Sequence, residues 1–115
     1  MVLNINRESM ARTGFSPPTR VFEAAGAAAC LITDAWTGVE HFFEPGSEIL
    51  VAHGADDIVR YLRKIAPADA RQIGLDMRAR ALRDHVYEAR AKLVDEILRS
   101  TPAKDQRTPA AEAAA

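Results

Sequence analysis

The chain is poor in the residues and runs that would announce a function. It has a single cysteine, Cys30, so it forms no internal disulfide and suits a reducing compartment. Cys30 lies in an apolar run with no base near it in sequence, and it reads as a small core residue rather than a nucleophile. No apolar stretch approaches the roughly 20 residues of a membrane-spanning helix. The opening MVLNINRESM lacks a basic region followed by an apolar one, so no signal peptide is expected. Blocks of positive charge are missing as well. The net charge is −1, which offers no electrostatic footprint for nucleic acid. His41, His53 and His85 have no metal-like spacing and no Asp-x-Asp motif occurs, so neither a metal nor a cofactor is expected. What these absences leave is a soluble cytoplasmic domain.

What is present is ordinary in bulk and informative in order. At 115 residues, 48% hydrophobic and 27% charged, the chain has room for one domain with a modest core. Residues 2–6 (VLNIN) predict a short strand, followed by a polar loop, RESMARTGFSPP, in which Gly14 and Pro17-Pro18 force a turning or extended path. Ser16 or Thr19 can cap a small-residue helix over 20–28. Residues 29–33 (ACLIT) are apolar throughout, the pattern of a strand covered on both faces. A loop over 34–38, a helical turn over 39–43 and a second buried strand over 48–52 come next.

A helix over 57–65 follows, capped by Asp56 or by the loop before it, with Ile58, Leu62 and Ile65 on one stripe and Val59 beside them. Pro67 opens a longer helix in which Ile73, Met77 and Ala81 recur every four residues. After Asp84-His85 a last helix over 86–99 puts Leu93, Val94, Ile97 and Leu98 on one face. The composition of 101–115 cannot build a core and predicts a disordered tail. Residues 1–100 therefore read as an α/β domain, a three-stranded parallel Rossmann-like sheet flanked by helices.

Open parallel sheets bind ligands in the crevice at the carboxyl ends of their strands. Here that crevice receives the start of the helix TRVFEAAG, with Arg20 in its first turn and Glu23 in its first turns. A helix start beside a guanidinium suits a phosphate, and a carboxylate one turn on suits the hydroxyls of a ribose.

At these residues the chain resembles a known family. The ordered series R-x-F-E-A-A, L-I-T-D, W-x-G and F-F-E-P-G-x-E-I-L-V-A, then GADDIVRYLRKI and RARALRDHVYEARA, is similar to the C-terminal part of GT-B type glycosyltransferases. The nearest resemblance is to the spore-maturation (CgeB-type) group related to glycosyl transferases family 1. It runs over residues 3–98 and implies a partial C-terminal donor domain that binds a nucleotide diphosphate sugar and passes the sugar to an acceptor. It also implies that an acceptor domain and the first donor-domain strands are missing, so that the chain alone is inactive and is a truncated product, a remnant, or one half of a split enzyme. Self-association or a separately encoded N-terminal half are the expected protein partners. A nucleotide-sugar epimerase shares the architecture, and a non-catalytic interaction module is the non-enzymatic alternative.

The resemblance assigns Glu23 to the ribose, with Arg20, Thr19 and Ser16 around the diphosphate; it assigns no catalytic residue. Each has a plainer reading, as an exposed helix charge for Glu23 and as capping or surface residues for the others. Relatives that carry a second glutamate have it eight positions earlier, where this chain has Phe15, so the pair is incomplete. Arg7 and Arg12 read as solvated loop charges. Trp36 reads as a core cap, and Asp34, Gly38 and Glu40 share its loop at the ligand edge.

Overall fold

The computed structural model describes residues 1–101. The elements run β1 (Val2–Asn4), α1 (Glu8–Thr13), α2 (Thr19–Gly26), β2 (Leu31–Asp34), α3 (Val39–Phe42), β3 (Leu50–Ala52), α4 (Ala55–Lys64), α5 (Pro67–Asp84) and α6 (Tyr87–Ser100). The strands form one parallel sheet in the order β1-β2-β3, with Val2 beside Leu31 and Ile32 beside Leu50. The expected fold class is the one observed. Helices cover both faces, which is why β2 is apolar along most of its length instead of alternating.

Side-chain parity divides the core in two. One face carries Val2, Leu31 and Val51 against Val21, Ala24 and Ala25 of α2, Val39, Phe43 and Met77. The other carries Cys30, Ile32, Leu50 and Ala52 against Ile58, Tyr61 and Ile65 of α4 and Ala70 and Ile73 of α5. The long α5 thus starts on one face and ends on the other. Leu3 and Ile5 belong to the α4 face by parity, but no helix reaches β1 there and both are exposed.

Two close contacts fix the helix layer. At the end of α2 the N–H of Ala29 bonds Ala24 O and that of Ala28 bonds Ala25 O, a paired C-terminal closure with Ala28 at φ 54 where glycine is usual. This closure pushes the Ala28 carbonyl onto Gly74, where an added Cβ would lie 2.1 Å from the oxygen. α2 and α5 touch here because position 74 has no side chain.

Several local expectations need correction. The 7–18 stretch is not all loop: ESMART forms α1, held by an Arg12–Glu8 ion pair and by Thr13 Oγ1 donating to Ser9 O. No residue of α1 is buried, so it carries no apolar period to read. Neither Ser16 nor Thr19 caps α2, because Pro18 takes the N-cap and Thr19 is already helical. Asp56 does not cap α4 either; Asp57 instead accepts the N–H of His53. Leu62 is exposed, because α4 turns Tyr61 inward and its hydroxyl donates to Val51 O at 2.7 Å. The apolar face of α6 exists, yet Leu93, Val94, Ile97 and Leu98 are all exposed. The tail over 102–115 lies outside the described residues.

Candidate functional site

Parallel strands point their carboxyl ends the same way, and here those ends are Asn4, Asp34 and Ala52. The edge is polar and highly ordered. The buried Thr33 hydroxyl accepts from Asn4 Nδ2 and from Trp36 Nε1, both at 3.3 Å, and donates to Asp34 Oδ1. Asp34 in turn accepts the backbone N–H of Asn6 on both oxygens, at 3.1 and 3.2 Å. β1 and β2 are therefore tied together beyond their last ladder bond. Trp36 is a buried cap on the core, as its apolar surroundings and single donor suggest. Two hollows open along this edge. One of about 530 Å³ is lined by Trp36, Thr37, Glu40 and His53 among others, and one of about 340 Å³ by Asp34, His53 and Ile5.

α2 also begins at this edge, because it follows a strand that ends there. Val21, Ala24 and Ala25 are its buried side. At about 100° per residue, Thr19 and Glu23 then lie on the outer side, with Arg20 and Phe22 on opposite flanks and Phe22 packed against the core. Glu23 is the fifth residue of α2, and the first turn contains no acidic side chain. Glu23 and Arg20 are exposed, and neither has an ion pair or side-chain hydrogen bond among the described residues. Ser16 is half-buried in the segment leading into the helix.

Thr19 lines a groove of about 470 Å³ with Pro17, Phe22, His85, Tyr87 and Arg90. Sequence reasoning did not nominate Tyr87 or Arg90 for a site. The signal was the R-x-H-x-Y-x-x-R series, and α5 delivers it by running back toward the carboxyl edge. Arg90 sits over the Phe22 ring at 5.2 Å, while His85 Nε2 meets Phe42 O at 2.7 Å.

The remaining candidates separate cleanly. Arg12 is paired with Glu8 on exposed α1, and Arg7 is exposed at its start. Burial pushes the Cys30 thiol up, which suits a core residue and not a nucleophile. The backbone N–H of His53 holds the Asp57 carboxyl below its ordinary value, with Arg60 adding to the effect. Among the described residues no three His, Cys, Asp or Glu side chains converge as a metal site would require. No described helix is long and apolar enough to cross a membrane.

A helix-covered parallel sheet with a polar carboxyl edge, at which a helix starts, defines an open α/β domain, a class whose ligand sites usually lie at that edge. Residues 1–96 match the model of the family described as Glycosyl transferase-like, and the chain belongs to that family. No curated protein matches the chain, and no solved structure does.

Proposed function

We propose that residues 1–100 form the donor-binding part of a glycosyltransferase of GT-B architecture, of the spore-maturation (CgeB-type) kind, which holds a nucleotide diphosphate sugar at the carboxyl edge of the sheet. One observation carries this reading: within the matched family, the β1–α2–β2 crossover starts α2 at that edge with no side chain capping its first amides. Such a helix start favours an anion. Arg20 gives the diphosphate a charged donor, and Thr19 and Ser16 offer hydroxyls. Glu23 accepts from the ribose hydroxyls one turn further along. No metal enters the scheme; charge on the departing diphosphate is met by Arg20 and by the helix amides.

Transfer needs an acceptor held against the donor. The 115-residue chain alone is therefore expected to bind donor without turning it over. Calorimetric titration with uridine, guanosine and thymidine diphosphate hexoses tests the reading. Glu23→Ala should weaken binding by roughly 1.5–3 kcal/mol, the worth of a charge-assisted hydrogen bond, with the fold intact. Binding of none of these ligands, or equal binding by the variant, refutes it. A second reading, as a non-catalytic interaction module, draws on the exposed apolar face of α6. Donor binding by the parent chain decides between the two.

A further inference from the structure

One side of α6 forms a groove that nothing in the domain fills. Every residue from 91 to 100 is exposed, so past its first turn the helix carries no part of either core cluster. The groove, of about 450 Å³, is lined by Tyr87, Arg90, Ala91, Val94, Asp95 and Leu98. Tyr87, Ala91, Val94 and Leu98 follow at spacings of four, three and four residues, the spacing with which one helix seats on another. Tyr87 is 92% exposed and Leu98 70%, so this seam lies open to water. At about 100° per residue, Arg90 and Asp95 fall on opposite flanks of it, and Ile97 borders it on the Arg90 flank.

The charges on the two flanks identify what fits. Lys92 and Arg99 pair within α6, with Glu88 and Asp95, whereas Arg90 rests on the Phe22 ring and has no carboxylate partner among the described residues. Asp95 gives Oδ2 to Arg99 Nε at 2.8 Å, and no described donor reaches its Oδ1. On one helix Arg90 and Asp95 cannot meet, because the seam lies between them. On two helices they can. An antiparallel pair sets each flank against its own kind, Arg90 beside Arg90. A parallel pair crosses the flanks, and each Arg90 faces Asp95 of the other helix five residues on, the arrangement of the charged positions that border a parallel seam. We propose that α6 is a dimerisation helix, which pairs in parallel with α6 of a second copy through Tyr87, Ala91, Val94 and Leu98, with an Arg90–Asp95 ion pair on each side. Tyr87 and Arg90 also line the groove beside Thr19, so the partner's Asp95 arrives at the rim of that groove. The pairing itself is independent of donor binding. One short helix pair is small against the roughly 1,200–2,000 Å² of a stable interface, and the dimer is therefore weak, of micromolar or lower affinity.

Sedimentation equilibrium over a concentration series tests this, with Leu3→Lys in every chain so that association through β1 does not contribute. The Leu3→Lys chain is expected to follow a monomer–dimer equilibrium. Val94→Lys, at an exposed position in the seam, should leave it monomeric with an unchanged circular dichroism spectrum. Arg90→Glu and Asp95→Arg should each weaken the dimer severalfold. An equimolar mixture of the two should regain it, because in the mixed dimer each flank again sets a cation against an anion; that recovery also requires both variants to be folded. A Leu3→Lys chain that stays monomeric up to its solubility limit, a dimer untouched by Val94→Lys, or a mixture no tighter than its components overturns the proposal. So does an Arg90→Glu chain that pairs with the Leu3→Lys chain more tightly than the latter pairs with itself, which is the mark of an antiparallel arrangement.

Discussion

Adding one methyl group at Gly74 should destabilise the domain, although glycine to alanine inside a helix normally helps. Gly74 lies within α5, where alanine is favoured by about 1 kcal/mol. The added Cβ, however, would stand 2.1 Å from the Ala28 carbonyl oxygen and 2.8 Å from its carbon. Those are backbone atoms pinned by the closure of α2, so no rotamer change relieves the contact and the helices must separate. Overpacking of this kind costs roughly 1–3 kcal/mol, and a rigid obstacle belongs at the upper end. The net is a loss of about 2 kcal/mol, or a fall in Tm of roughly 8–16 °C for a domain of this size. Gly26→Ala is the control. It is the same change at the end of α2, where nothing lies within 4 Å of the new Cβ. Thermal melts by circular dichroism at fixed concentration measure both. A Gly74→Ala Tm at or above the parent value would mean that α2 and α5 do not meet at this point.

Ala28→Gly should raise stability by up to about 1 kcal/mol, because glycine occupies φ 54 without a Cβ penalty; urea melts read it directly. Tyr61→Phe should cost about 1 kcal/mol through the lost bond to Val51 O, with no change in secondary structure by circular dichroism. Because the Asp57 carboxyl is held low in the folded state, its contribution is present above the ordinary value near 3.8 and disappears as pH falls through the folded value. Acid titrations monitored by ellipticity should therefore show a shallower loss in Asp57→Asn. The outer side of β1 has no partner among the described residues, and Leu3 and Ile5 are exposed beside it, so association is expected to grow with concentration and to weaken in Leu3→Lys. Light scattering that gives a monodisperse monomer across the series would contradict this.

The fold was legible where apolar residues recur with a clear period. ACLIT reads as a strand covered on both faces, Pro67 as a helix start, and Ile73, Met77 and Ala81 as an inward stripe. The misses have equally physical causes. α1 buries nothing, so no pattern marks it. Tyr61 displaces Leu62 from the α4 interface because a phenol reaches the strand carbonyl that an aliphatic chain cannot satisfy. α6 has its apolar stripe in sequence, but a stripe does not say whether anything lies against it. The candidate site divides in the same way. The helix start at the sheet edge follows from strand order, and Thr19 does line a groove. The series that holds Tyr87 and Arg90 was visible in sequence, but not its place beside Thr19, since α5 brings it to that groove from over 60 positions away. The left-handed φ of 49 at Phe15 was hidden too, for it is set where the Phe15 N–H donates to Thr37 O across two loops and not by one residue.

α5 has one more consequence, for how the molecule comes apart. Its first half seals one hydrophobic cluster through Ala70 and Ile73, and its second half seals the other through Met77 and Ala81. A helix is stiff over such a length, so neither cluster can let it go while the other keeps hold. The two cores are coupled like two doors hung on one bar. Slowly exchanging amides in β2 and in α2 should therefore become exposed in the same opening event, whichever side of the sheet is first disturbed.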